Sequence, residues 1–224
     1  QHIHAEEMGE AKLKFFMNIS HEIRTPLTLI LTPLFTLIKE DKDAHRQGIY
    51  DMMRKNSERI LHLINQMMDL RKIDKGQMVM HMSETDMVAF IGDEYKLFCQ
   101  QAIAKSIQFT FEHEDETLPV WIDRDNFDKV LMNVLSNAFK FTPAGGRIRI
   151  TLSHSPHHVR IAIKDSGKGI QEEKLETIFQ RFYQSATTSN DRNVGTGIGL
   201  DLTRSLVELH YGTITAANNK TLDE

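Results

Sequence analysis

The run NISHEIRTPL (18–27) sets His21 beside Glu22, with Arg24, Thr25 and Pro26 close behind, inside a stretch of helical periodicity. A neutral imidazole is a good nucleophile near pH 7, and a carboxylate at its edge can orient it and accept its proton. On a helix Glu22 stands about 100° round from His21, beside the ring rather than stacked on it. Arg24 and Thr25, three and four positions on, share the face of His21 and add a cation and a hydroxyl. Pro26 offers no N–H to the Glu22 carbonyl and crowds it. The helix is therefore expected to bend or loosen next to the imidazole. A lone exposed histidine on a helix is usually only solvated; it is the combination that points to chemistry.

The second half carries more such groups. In NFDKVLMNVLSNAFKFT (126–142), Asn133, Asn137 and Lys140 fall on one helical stripe, and Phe127, Val130, Leu131, Val134, Leu135 and Ala138 on another face. Two carboxamides and an ammonium suit a hydrated magnesium ion and the phosphates it carries, because magnesium keeps several waters and takes few protein ligands. DSGKGI (165–170) follows a strand. There Asp165 can accept from an exocyclic amine, while Gly167 and Gly169 permit close approach to a flat ring. GTGIGL (195–200), with Gly195, Gly197, Gly199 and Leu200, leads into a helix whose free N–H groups form an anion site. Its spacing matches neither the dinucleotide fingerprint nor the P-loop. QSATTSNDRN (184–193) has no large apolar side chain and reads as a lid. HSPHH (154–158) reads as a solvated hairpin turn rather than a metal cluster.

Two kinds of element must position these groups. Leu13, Phe16, Ile23, Leu27, Ile30, Leu34 and Leu37 recur at steps of three and four, and so do Ile49, Met53, Asn56, Ile60, Leu63, Met67 and Leu70. Those are two heptad seams. The polar run EDKDAHRQG (40–48) joins them as an antiparallel hairpin. Two helices bury one seam, so a second copy completing a four-helix bundle is expected. After about residue 76 the pattern changes to short strands at 107–111, 119–123, 147–152, 159–164 and 212–217. Helices are expected between them at 87–104, 125–140, 172–179 and 198–210, giving a two-layer α+β sandwich. The expected domains are 1–76 and 77–224, with a linker at 72–77.

Composition narrows the classes. The net charge of −4 gives no reason to expect nucleic acid as a partner. The single cysteine, Cys99, excludes an internal disulfide. No run of 18 apolar residues spans a membrane, and the chain reads as a piece of a longer protein.

FFMNISHEIRTPLTLI closely resembles the phospho-acceptor segment of sensor histidine kinases, whose pattern His-Glu-x-x-Thr-Pro it matches in full. The resemblance implies phosphorylation of His21, with Glu22 as its acid–base neighbour and Thr25 holding the water for dephosphorylating a partner. It also implies the histidine-kinase, gyrase and chaperone type of ATPase fold. Asn-x-x-x-Asn-Ala-x-Lys is similar to the family's N-box, which makes Asn137 the magnesium ligand, Asn133 its companion and Lys140 a phosphate contact. Asp165, Gly167 and Gly169 correspond to the adenine pocket, and Phe179 and Phe182 to the F-box that seats the lid. The implied ligands are ATP and Mg2+. The implied partners are a second copy and the aspartate of a response-regulator receiver domain. The implied location is the cytoplasmic portion of a membrane-anchored sensor. The γ-phosphate would reach His21 by a swing about 72–77.

Water-hydrolysing relatives carry a glutamate four residues before the metal asparagine; Asn133 stands there, which favours transfer over hydrolysis. A nucleotide-gated dimer without catalysis is the alternative from another class. The family's last strand, Gly-Ser/Thr-x-Phe closing in Leu-Pro, is not matched by NNKTLDE, so that strand is expected to be missing.

Overall fold

The computed structural model describes residues 23–183 and 197–218. The chain divides into two compact units between Met78 and Val79.

In the first unit α1 is helical over 23–40 and α2 spans Ala44–Asp74. The turn is only 41–43, shorter than the expected 40–48. Asp43 caps α2 by accepting from the Arg46 N–H at 2.9 Å, and Asp41 takes both Arg46 Nε and the Tyr50 hydroxyl. These bonds start the helix four residues before Gly48, which lies within it. Arg24 reaches Asn65 at 2.7 Å, and Gln47 reaches the Ile38 carbonyl at 2.7 Å, the pairing of an antiparallel hairpin. Helix α1 runs on through Pro33, although the Leu29 carbonyl loses its usual donor there. The bend expected beside His21 lies outside the described residues.

The heptad seam is corrected. Leu27, Leu31 and Leu34 are buried together with Ile64 and Leu70. Ile23, Ile30, Leu37, Ile49, Met53 and Ile60 stay 38–46% exposed. On α1 the exposed set lies roughly 60° round from the buried one, so one partner helix covers only part of the stripe. Asn56 is exposed and bonds the Met52 carbonyl at 2.8 Å. Helix α2 also runs into the expected linker, ending at Asp74 with Lys75 as its cap, and φ of +63° at Gly76 lets Gln77 N–H bond the Lys72 carbonyl.

The second unit has two sheets. Strands β1 (Ser83–Asp86) and β3 (Pro119–Ile122) pair antiparallel. Strands β2 (Gln108–His113), β4 (Arg147–Ser155) and β5 (His158–Asp165) lie in the order β2–β4–β5, parallel then antiparallel. Helices α3 (Met87–Ala104) and α4 (Arg124–Phe141) pack on them, and α5 (Gly199–Leu209) packs on α4. Asp86 caps α3 and also takes the Leu118 N–H at 2.9 Å, tying the helix start to β3. Phe90, Ile91, Phe98, Leu131, Leu135, Phe139, Ile148 and Ile150 fill one core. Phe139 stacks on Phe98 at 5.1 Å and meets Phe109 edge-on at 5.0 Å.

Three expectations differ. Strand β1 was not foreseen, being four residues with one buried position. The helix expected at 172–179 is two 3-10 turns, Glu172–Lys174 and Thr177–Phe179. The strand expected at 212–217 pairs with no strand among the described residues, so its alternation has no ladder to join.

Candidate functional site

Helix α4 starts at Asp123, whose carboxylate accepts from the Asn126 N–H at 3.0 Å. Burial of Val130, Leu131, Leu135, Ala138 and Phe139 then fixes its rotation. That leaves Asn133, Asn137 and Lys140 half-buried on the stripe the spacing predicted. Asn133 Nδ2 donates to the Gly199 carbonyl at 3.3 Å, and Thr203 Oγ1 donates to the same oxygen at 2.9 Å. The asparagine stripe is thereby tied to the start of α5. That helix begins after Ile198, which supplies no capping side chain, and Gly199 and Leu200 are its first residues. Its opening N–H groups have the character of an anion site.

Strand β5 delivers Asp165 to the surface. Its Oδ1 accepts from the Gly167 N–H at 2.8 Å. A Cβ on Gly167 would lie 2.6 Å from that oxygen and 2.9 Å from the Phe141 carbonyl, so only glycine lets the loop lie against the end of α4. Gly169 has φ of +69°. Lys140 and Lys168 place their ammonium groups 5.0 and 5.6 Å from the exposed Phe141 ring. Lys140 of the stripe and Lys168 of the glycine loop thus share one aromatic ring.

Of the two residues that correspond to the F-box, Phe179 is buried, while Phe182 is 67% exposed with φ of +60°. The Phe182 N–H donates to the Gly197 carbonyl at 2.9 Å. Gly197, at φ of +70°, leaves no room for a Cβ, which would sit 2.6 Å from the Tyr183 carbonyl. Thr25 lies exposed on α1. His21, Glu22, Gly195 and the expected lid lie outside the described residues.

Two contacts were not legible in local sequence. Asn218 accepts the Ile170 N–H at 2.9 Å and donates back to the Ile170 carbonyl, clamping the turn after Gly169. Arg181 pairs with Asp201 at 2.6 Å, joining the segment before the lid to the first turn of α5. Neither pair has a spacing that a motif records.

Residues 11–76 match the His Kinase A (phospho-acceptor) domain, and residues 122–222 match the Histidine kinase-, DNA gyrase B-, and HSP90-like ATPase domain. Histidine kinase P4 of Formosa agariphila is 38% identical over 213 residues, covering 93% of this chain and 16% of that protein. The chain thus spans about a sixth of that relative's length. The catalytic domain of histidine kinase ThkA is 34% identical, with a TM-score of 0.52 over 58% of this chain and 81% of that one. A structure of ThkA in complex with response regulator protein TrrA aligns over 92% of this chain and 58% of that one, at 26% identity and a TM-score of 0.59. With a phospho-acceptor match preceding an ATPase match, and a histidine-kinase catalytic domain 34% identical and covered over 81% of its length, the chain belongs to the sensor histidine kinases.

Proposed function

We propose that the chain is the catalytic core of an ATP-dependent protein-histidine kinase that phosphorylates His21 and passes the phosphoryl group to a receiver aspartate. The observation that carries this is the bond from Asn133 to the Gly199 carbonyl. It sets the polar stripe of α4 beside the open start of α5, while the loop bearing Asp165 lies against the end of the same helix α4. Adenine is held at Asp165 through its amino group, with Gly167 and Gly169 beneath the ring. Phosphates lie against Lys140 and the N–H groups at Gly199 and Leu200, where the helix end favours anions. Asn137 offers a hard carboxamide oxygen, which fits a magnesium ion that keeps most of its water shell. When bound, that ion supplies charge neutralisation of the phosphates.

Phosphoryl transfer through a loose in-line transition state needs positioning and charge balance more than covalent help. The bond from the γ-phosphorus to the β,γ-bridging oxygen breaks as a bond to a ring nitrogen of His21 forms, ADP leaves, and Glu22 takes the imidazole proton. The nitrogen–phosphorus bond then breaks as a carboxylate oxygen of the receiver attacks. Thr25 orients a water for the opposing phosphatase activity, in which the water attacks the phosphorus and the receiver carboxylate leaves.

The apolar residues left exposed on α1 and α2 support a homodimer through the hairpin, closed as a four-helix bundle. The ThkA complex with its response regulator supports a receiver as partner. We place this chain in the cytoplasmic portion of a membrane-anchored sensor. No helix among the described residues is long and apolar enough to cross a membrane.

The test is incubation with γ-labelled ATP and magnesium, wild type beside His21→Ala and Asn137→Ala. Acid-labile, alkali-stable label should appear on wild type and on neither variant. Undiminished label on His21→Ala would overturn the assignment of the acceptor. Nucleotide binding without any labelling would leave a nucleotide-gated dimer.

A further inference from the structure

Helices α4 and α5 are joined at two places. One is the Asn133 bond to the Gly199 carbonyl. The other, at the opposite end of α5, is His210, the residue that caps it. Its Nε2 lies 3.1 Å from the backbone nitrogen of Asp123, and its Nδ1 lies 2.7 Å from the Leu206 carbonyl oxygen. The ring stands edge-on to Phe127 at 5.3 Å. A backbone N–H only donates and a carbonyl only accepts. Both bonds are therefore made by a single form of the imidazole, neutral and carrying its proton on Nδ1.

The partner is itself fixed. Asp123 is 3% exposed and is the N-cap of α4. Its carboxylate accepts from the His81 N–H at 2.9 Å, the Asn126 N–H at 3.0 Å and Asn126 Nδ2 at 2.8 Å. Burial pushes its carboxyl up, but those hydrogen bonds hold it below the ordinary value. The side chain of Asp123 is thus committed to α4 and to the segment before β1 at His81, while its N–H is given to the residue that caps α5.

We infer that His210 is a positioning residue for the nucleotide site: its neutral imidazole bridges the first turn of α4 to the end of α5 and so sets the direction of the helix whose other end carries Gly199 and Leu200. The inference rests on the ATP-binding reading above. Helix α5 has eleven residues and three buried ones, Leu202, Thr203 and Leu206. So short a helix depends on tertiary restraint for its order. With the bridge removed, the Asp123 N–H is left buried without an acceptor, and the last turn of α5 is free to shift about its hold on Asn133.

The experiment titrates the chain with magnesium and ADP by calorimetry for wild type, His210→Gln and His210→Phe, each first shown to be folded by circular dichroism. His210→Gln keeps a neutral acceptor and a neutral donor and should bind within about twofold of wild type. His210→Phe keeps a ring against Phe127 but loses both bonds, and should bind about tenfold more weakly, the scale of one buried donor left unpaired. Long-range 1H–15N spectra of the wild type should show the Nδ1–H tautomer. Three results would overturn the inference: His210→Phe binding like wild type, His210→Gln falling as far as His210→Phe, or the Nε2–H tautomer. A wild type that binds no nucleotide would instead remove the ATP-binding reading, and this inference with it.

Discussion

The two units of this chain handle apolar surface in opposite ways. In the α/β unit Met87, Ile91, Leu135, Phe139, Ile148 and Ile150 are each no more than 1% exposed, and one core closes within the chain. In the helical unit the heptad residues Ile30, Leu37, Ile49, Met53 and Ile60 are 44–46% exposed, and Leu29, Phe35 and Met52, on other faces, are 51–68% exposed. Isolated exposed apolar residues are ordinary, but a row of them along two adjoining helices is an unfinished interface. The contrast teaches which half covers its own apolar surface. Among the described residues the α/β unit closes its own core, whereas the hairpin leaves an apolar stripe that the proposed second copy would cover.

The largest effect should come from breaking that second half. Met53→Glu with Ile60→Glu puts two carboxylates two turns apart on α2, where a dimer would have to bury them unpaired. Such burial costs several kcal/mol per charge or forces protonation. Light scattering should show the dimer mass halved, while the melting of the α/β unit stays in place. Retention of the dimer by the double variant would mean that this apolar row is not the interface.

What the sequence could show follows the same division between local and distant. Period-two alternation is a local property and located β2, β4 and β5 to within a few residues. The stripe of Asn133, Asn137 and Lys140 was legible for the same reason, since steps of three and four place residues on one helical face. Burial is not local. Ile30 and Leu31 are neighbours with equal claims to the core, and only the position of α2 decides that Leu31 takes it. The strand expected at 212–217 has the right alternation, but a strand needs a ladder partner. Asn218 reaches Ile170 across 48 residues, and His210 reaches Asp123 across 87. No periodicity connects such pairs.

The closed core has a fault of its own. Glu94 on α3 is 6% exposed, and its Oε2 has no hydrogen-bond partner. Burial first, and then the hydrogen bond and charge of Asp128, push its carboxyl up from an ordinary 4.5 to about 7. Because the folded value is the higher, the native state binds more protons than the unfolded chain between those limits. Stability therefore falls as pH rises from 4.5 to about 7, and the loss is complete above that. Glu94→Gln keeps a donor toward Asp128 and cannot ionise. It should stabilise the α/β unit by up to about 3 kcal/mol at pH 8 and by little at pH 4. Denaturant melts at the two pH values decide this: an equal shift at both would place the cause in packing rather than charge.

The smallest effect concerns the end of α5. Tyr211 follows His210 with φ of +59° and is 96% exposed. The Gly212 N–H returns to the Val207 carbonyl at 2.9 Å and the Tyr211 N–H to Glu208 at 2.9 Å, a helix stop built around a left-handed residue. Glycine suits that position because it has no Cβ to crowd the following carbonyl. The tyrosine ring gains almost no burial in exchange. Tyr211→Gly should therefore stabilise the unit by roughly 0.5–1 kcal/mol, the relief of left-handed strain less the added freedom of the unfolded chain. Tyr211→Ala separates the causes, since alanine removes the ring but keeps the Cβ. Only the glycine variant should gain if backbone strain is the reason. Equal gains from both would assign the effect to the exposed ring instead, and the helix stop would then be no weaker for having a tyrosine in it.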